Sequence, residues 1–381
     1  MARPLRQFLR RTLLRGPLQD AWAARRGRQL EAAYCARLVQ RAPDAPAPQR
    51  PRTTAAADPL RRILLIADCM WEQQDLVPEL ARIAETRCLD LRGPLRGRLP
   101  PESPPAIIAR TLREFAASSA GFQPDVILFY ARPQLLAEEV FETLRRQWSC
   151  PLLGMNLDDK TQFFPYGILA DRNDNYARWA ANFDLNITNC LPATDWYRAQ
   201  GCPVIYSPQG VHRPTNLAAP VDGAFRYEFS FLGTKRFERS ALLDELQRRG
   251  VTVNLFGTGW PGSQWVNDAN AVFRASQINL GIGFATPSSA LTNIKGRDFE
   301  CPGVGACYLT TYNWELPLHY ELGKEILCYR SLEELVELYS FYRRRPEECL
   351  KIAQAAWRRC TAEHTWELRF RRIFREVGFR V

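Results

Sequence analysis

Between Asn293 and Thr310 the chain reads N-I-K-G-R-D-F-E-C-P-G-V-G-A-C-Y-L-T. Lys295 and Arg297 stand ahead of Glu300. Gly303 and Gly305 follow it, before the apolar run Ala306–Leu309. Glycine lets backbone N–H groups approach a ligand where a side chain would block them. Such groups at a turn or helix start attract phosphate, and the two cations can counter its charge. A carboxylate just before a glycine turn can accept from a ribose diol. Cation, carboxylate and glycine turn together suggest a nucleotide-diphosphate pocket. The plain alternatives are a tight turn, solvated loop cations and a helix-starting acid.

A second cluster, Gly233-Thr234-Lys235-Arg236, follows a predicted strand and opens a predicted helix, with Arg239 one turn later. That places cations and N–H groups at a strand's carboxyl end, with Arg239 expected to contribute less. The alternative is a helix-surface pair of arginines. Gly257 to Gly259 with Trp260 forms a third strand-end loop, which either contacts a nucleobase or only turns the chain. In the first half, Asn156-Leu157-Asp158-Asp159-Lys160 follows another strand. Asp158 or Asp159 is the candidate general base for an acceptor hydroxyl, against the commoner role of an aspartate as a cap. His212, in Q-G-V-H-R-P, is the third catalytic candidate. Neither that acidic pair nor Asp171-Arg-Asn-Asp174 makes a D-x-D motif, so no metal ligand set is expected. Cations and helix N-termini would then neutralise a departing diphosphate.

The elements that must position these groups alternate. Apolar runs at 62–67, 125–130, 151–155, 184–188 and 203–207 are separated by helical stretches at 74–84, 106–117, 138–147 and 193–199. After the connector 208–224 the pattern restarts, with strands expected at 228–232, 251–256, 277–282, 306–310 and 325–329. Helices are expected at 331–342, 346–359 and 364–377, the last crossing back to the first domain. Short apolar strands alternating with helices mean parallel sheets covered on both faces. The expected fold class is α/β, two Rossmann-like doubly wound domains facing a cleft. The domains are 60–215 for an acceptor and 216–381 for a donor, preceded by a basic helical extension and Pro/Ala linker at 1–59.

The 381 residues suit two domains. Residues 1–52 hold twelve of the arginines and nearly all of the net charge of +10, so the body is almost neutral and nucleic acid is not an expected partner. The extension reads as two helices, 4–15 and 18–41. Packing on the body or disorder is the first expectation, and contact of residues 1–41 with an anionic membrane surface or with a partner the alternatives. The eleven cysteines form no C-x-x-C pair and there are three histidines, which argues against a zinc site or disulfide framework and for a reducing cytosol. No run reaches the ~18 apolar residues of a membrane span.

The blocks F-S-F-L-G-T-K-R-F-E-R-S-A-L-L-D-E-L (229–246), V-N-L-F-G-T-G-W (253–260), R-D-F-E-C-P-G-V-G (297–305) and A-E-H-T-W-E-L-R (362–369) resemble, in this order, the CgeB-like spore-maturation glycosyltransferase family. The resemblance covers about 225–375, and 60–215 only in its alternation of elements. It implies the GT-B fold, a group 1 type glycosyltransferase domain and a bacterial, cytoplasmic enzyme. The donor substrate would be a nucleotide-diphosphate sugar with no further cofactor, and the acceptor is unknown. By the resemblance Glu300 binds the donor ribose. Gly233, Lys235, Arg236, Gly257, Lys295, Arg297, Gly303 and Gly305 would line the donor site. The wider superfamily carries two glutamates separated by seven residues, and here the earlier position is Thr292. A non-catalytic sugar-nucleotide or glycan binder, or a nucleotide-sugar epimerase on the same fold, are the alternatives.

Overall fold

A computed structural model describes residues 17–39, 58–68, 76–95, 103–119, 121–130, 132–164, 175–212, 225–263, 266–285 and 289–381. The expected helix 4–15, most of the linker, and Asp171 to Asp174 lie outside these residues. The chain forms two compact units. One joins Tyr34–Pro208 with Trp366–Val381, and the other joins the first 33 residues with Gln209–Thr365.

The first unit holds β1 (Arg62–Ala67), β2 (Glu85–Asp90), β3 (Val126–Tyr130), β4 (Leu152–Asn156), β5 (Leu185–Thr188) and β6 (Val204–Tyr206). They form one parallel sheet in the order β2-β1-β3-β4-β5-β6. β1, β3 and β4 are continuous apolar runs because helices cover both their faces. β2, E-T-R-C-L-D, escaped the sequence reading. It is an edge strand, alternately exposed, and offers no apolar run. The helix Trp366–Glu376 returns to this sheet as expected. Phe370, Ile373 and Phe374 pack with Ile63, Leu65 and Leu128.

The second unit holds β7 (Tyr227–Leu232), β8 (Asn254–Phe256), β9 (Ser276–Leu280), β10 (Tyr308–Thr311) and β11 (Leu327–Tyr329). The sheet is again parallel, in the order β11-β10-β9-β7-β8. In such sheets ligands bind outside the carboxyl ends of strands where the order reverses. That point is β1/β3 in the first unit and β7/β9 in the second. The basic helix Pro17–Val39 begins close to the expected 18–41. Its Ala23 and Leu30, one face of the helix, are 0% and 2% exposed. A Cβ added at Gly27, between them, would lie 3.5 Å from the carbonyl oxygen of Ala290. The extension's second helix therefore packs on the body.

Candidate functional site

The carboxyl ends of β7 and β8 continue into two interlocked loops. The ladder of these strands runs on past Leu232 and Phe256. Gly233 N–H donates to the Phe256 carbonyl at 2.9 Å, and Lys235 N–H to the Thr258 carbonyl at 2.9 Å. Trp260 Nε1 donates to the Gly233 carbonyl at 2.7 Å. Gly257 adopts φ +102°, which only glycine takes without strain. A Cβ there would also stand 2.8 Å from the Gly233 carbonyl oxygen. Gly257 therefore serves the contact between the loops. Trp260 is buried in the core with Phe231, so its ring braces the first loop and is not open to a nucleobase. What the pairing presents outward is Thr234 to Phe237, all exposed. They lead into the helix Phe237–Arg248, whose N-terminus has no side-chain cap. Lys235 Nζ rests 5.6 Å from the Trp260 ring centroid.

The second segment follows β9. Phe284 is bridged to Thr292, and Asn293 N–H donates to the Gly283 carbonyl at 2.8 Å. The chain then enters the helix Arg297–Gly303, where a turn had been expected. Asp298, overlooked in the sequence, anchors this entry. Its carboxylate accepts from Lys295 N–H at 2.7 Å and from Thr310 Oγ1, on β10, at 3.0 Å. Burial pushes its pKa up to about 6, against the pull of those bonds and of Lys295. Glu300 differs. Among the described residues its carboxylate makes no hydrogen bond or ion pair. It folds over Gly296, where a Cβ would meet Oε1 at 2.6 Å. Burial raises its pKa, and Arg297 works against that rise. Arg297 Nε is buried with no hydrogen-bond partner.

The two segments converge through their arginines. Burial, then Arg297, then Arg236 lower the Arg239 pKa to about 10. Arg239 Nη1 donates to the Thr234 carbonyl at 2.9 Å, and no carboxylate pairs with it among the described residues. The loop after β7 and the helix after β9 thus bring three guanidiniums and an unpaired glutamate to the order-reversal edge of one sheet. Arg239, expected to be secondary, is the desolvated member of the cluster.

Several expectations are corrected. Gly303 and Gly305 do not face this edge with free N–H groups. They close the helix Arg297–Gly303 at its carboxyl end, where carbonyls are left over. Gly305 N–H is taken by the Pro302 carbonyl at 3.0 Å, and a Cβ at Gly303 would meet Val211 Cγ2 at 2.6 Å. His212 adjoins Val211, which pairs with Thr365 and so lies at that same far end of the helix. In the first unit Asp159 is 0% exposed. It accepts from Asn156 Nδ2 at 2.5 Å and Tyr197 Oη at 3.0 Å. Burial raises its pKa to about 7, against hydrogen bonds from Thr188, Tyr197 and Asn156. A carboxylate so enclosed is a core bracket and cannot reach a substrate. Asp158 is partly exposed at the carboxyl end of β4. No cluster of three or more potential metal ligands occurs among the described residues. No helix among them is long and apolar enough to cross a membrane.

Residues 236–375 match the family model described as glycosyl transferase-like. No curated protein matches the chain. Among solved structures it is similar to a sucrose-phosphate synthase from Thermosynechococcus elongatus, at 14% identity and TM-score 0.59, over 83% of this chain and 99% of that one. It is likewise similar to HepE of Anabaena in complex with UDP, at 13% identity and TM-score 0.57, over 83% and 99%. A glycosyltransferase from Rickettsia africae gives 10% identity and TM-score 0.54, over 84% and 98%. The fold is that of the GT-B proteins, with two parallel α/β units.

Proposed function

We propose that this chain is a group 1 type, CgeB-like glycosyltransferase that moves a sugar from a nucleotide-diphosphate donor to a hydroxyl acceptor. The observation that carries the proposal is the convergence of Arg236, Arg239 and Arg297 beside an unpaired Glu300. Arg239 is desolvated and repelled by both other guanidiniums, and a diphosphate relieves that repulsion. Glu300 is the acceptor for the donor ribose. Lys235 and the uncapped start of the helix Phe237–Arg248 add further positive potential. The match of residues 236–375 to glycosyl transferase-like sequences covers Arg236, Arg239, Arg297 and Glu300, and begins one residue after Lys235. HepE, which shares the fold, has been solved with UDP and with UDP and glucose. This favours a nucleoside diphosphate as the leaving group.

Catalysis on this proposal is largely electrostatic. The guanidiniums stabilise charge that develops on the diphosphate as the glycosidic bond breaks, which lowers the barrier to the extent that they bind the departing group better than the intact donor. No metal is required for that step. Asp158 is the proposed base for the acceptor hydroxyl in the first unit. The test is nucleoside-diphosphate release from a panel of nucleotide sugars, run with and without EDTA. Release that survives EDTA supports the proposal. Absence of both release and binding across the panel would sink it, and complete loss restored by manganese would remove the metal-free leaving-group argument.

A further inference from the structure

We propose that Arg132 is an anchor for an oxyanion, a phosphate monoester or a carboxylate, carried by the acceptor at the carboxyl edge of the first sheet. The word acceptor rests on the transferase reading, but the anion site itself does not. β1 and β3 lie side by side, with Ala67 opposite Tyr130. They form the point where the strand order of this sheet reverses. Asp68 follows β1 directly, and Arg132 stands two residues beyond β3. Arg132 Nε donates to Asp68 Oδ2 at 2.6 Å.

The exposure of the two side chains is unequal. Arg132 is 61% exposed and Asp68 2%. Ordinary surface pairs of this unit, such as Arg110–Glu114 at 47% and 62%, expose both partners. Such pairs contribute little to stability. Arg145–Asp184, at 43% and 16%, and Arg82–Glu79, at 35% and 0%, are also unequal, but Asp184 precedes β5 and Arg82 precedes β2, at the opposite end of the sheet. In the Arg132 pair a buried acid holds the inner edge of a planar cation. The two terminal nitrogens make no hydrogen bond among the described residues. A guanidinium held by Nε keeps its outer edge as a fork spaced for two oxygens of one anion. The buried carboxylate limits the rotamers the arginine can take, so less freedom is lost when an anion binds.

The test is calorimetric titration of the full chain with inorganic phosphate, glucose 6-phosphate, glucuronate and glucose. UDP is held at saturation so that the second unit's arginines are occupied. The expected result is binding of inorganic phosphate and at least one anionic sugar, with none measurable for glucose. Glucose 6-phosphate against glucuronate separates phosphate from carboxylate. Arg132→Gln should weaken the anion tenfold or more, Arg132→Lys should keep part of it, and Asp68→Asn should weaken it a few-fold by releasing the fork. If no anion binds, or if Arg132→Gln binds as the wild type does, the proposal is wrong. Should UDP itself fail to bind, the donor reading falls instead. The Arg132 comparison is then read with phosphate alone, in an Arg239→Gln background that weakens the other cation cluster.

Discussion

Arg239→Met should raise the stability of the empty protein while lowering its affinity for a nucleoside diphosphate. Arg239 loses about two and a half pKa units, from 12.5 to about 10, chiefly by burial and then by repulsion from Arg297 and Arg236. At about 1.4 kcal/mol per unit, its charge costs the folded state roughly 3 kcal/mol. Methionine keeps much of the aliphatic stem and removes the charge. The Thr234 carbonyl loses its donor, which costs about 1 kcal/mol. The net expectation is a gain of about 1–2 kcal/mol, or a few degrees in Tm for a unit of this size. The same change deletes one charge-assisted contact to phosphate, worth about 1.5–3 kcal/mol, so diphosphate affinity should fall roughly tenfold to a hundredfold. Thermal unfolding with and without UDP reads both effects in one variant. A lower Tm for the empty variant together with an undiminished UDP-induced shift would refute the reasoning. Arg239 would then be a structural arginine and the phosphate site would lie elsewhere.

Glu300→Gln should leave the fold intact, because its carboxylate has no partner to lose among the described residues, and should weaken nucleotide-sugar binding; unchanged affinity by calorimetry removes Glu300 from the site. Asp159 gives a pH dependence. Its folded pKa of about 7 lies above the ordinary aspartate value of 3.8, so between those values the folded state binds the extra proton and stability falls as pH rises. Between pH 4.5 and 7.5 the wild type should lose about 3 kcal/mol of stability through this group, and denaturant unfolding of Asp159→Asn should lack that loss; a variant with the wild-type pH dependence contradicts this. Deleting residues 1–52 removes the buried Ala23 and Leu30 and should lower the Tm of the second unit, whereas an unchanged Tm would show that the helix Pro17–Val39 contributes nothing to it.

Much of the scaffold was legible because buried parallel strands announce themselves. R-I-L-L-I-A and V-I-L-F-Y can only be covered on both faces, and the helices 138–147 and 193–199 match residue for residue. β2 was not legible, since this edge strand is exposed at alternate residues and carries no apolar run. For the candidate site, placement alone was legible in part. Lys235, Arg236, Arg297 and Glu300 stand at the edge their spacing suggested. Arg239 and Asp298 were undervalued because their roles depend on contacts across the sheet, with Arg297 in one case and Thr310 in the other. Gly303 and Gly305 misled because a G-x-G spells a turn without saying whether it starts or ends a helix. Asp159 misled because sequence marks a carboxylate but not its burial, and its bracket is assembled from Thr188 and from Tyr197, 38 residues downstream.

On the proposed function the arginines of the second unit hold a diphosphate. Calorimetry with UDP and UMP, on the wild type and on Arg297→Ala, tests it most directly. The wild type should bind UDP at least tenfold more tightly than UMP, and Arg297→Ala should erase most of that difference while changing UMP little. Equal affinities for the two nucleotides in the wild type, or a preference for UDP that survives Arg297→Ala unchanged, would contradict it.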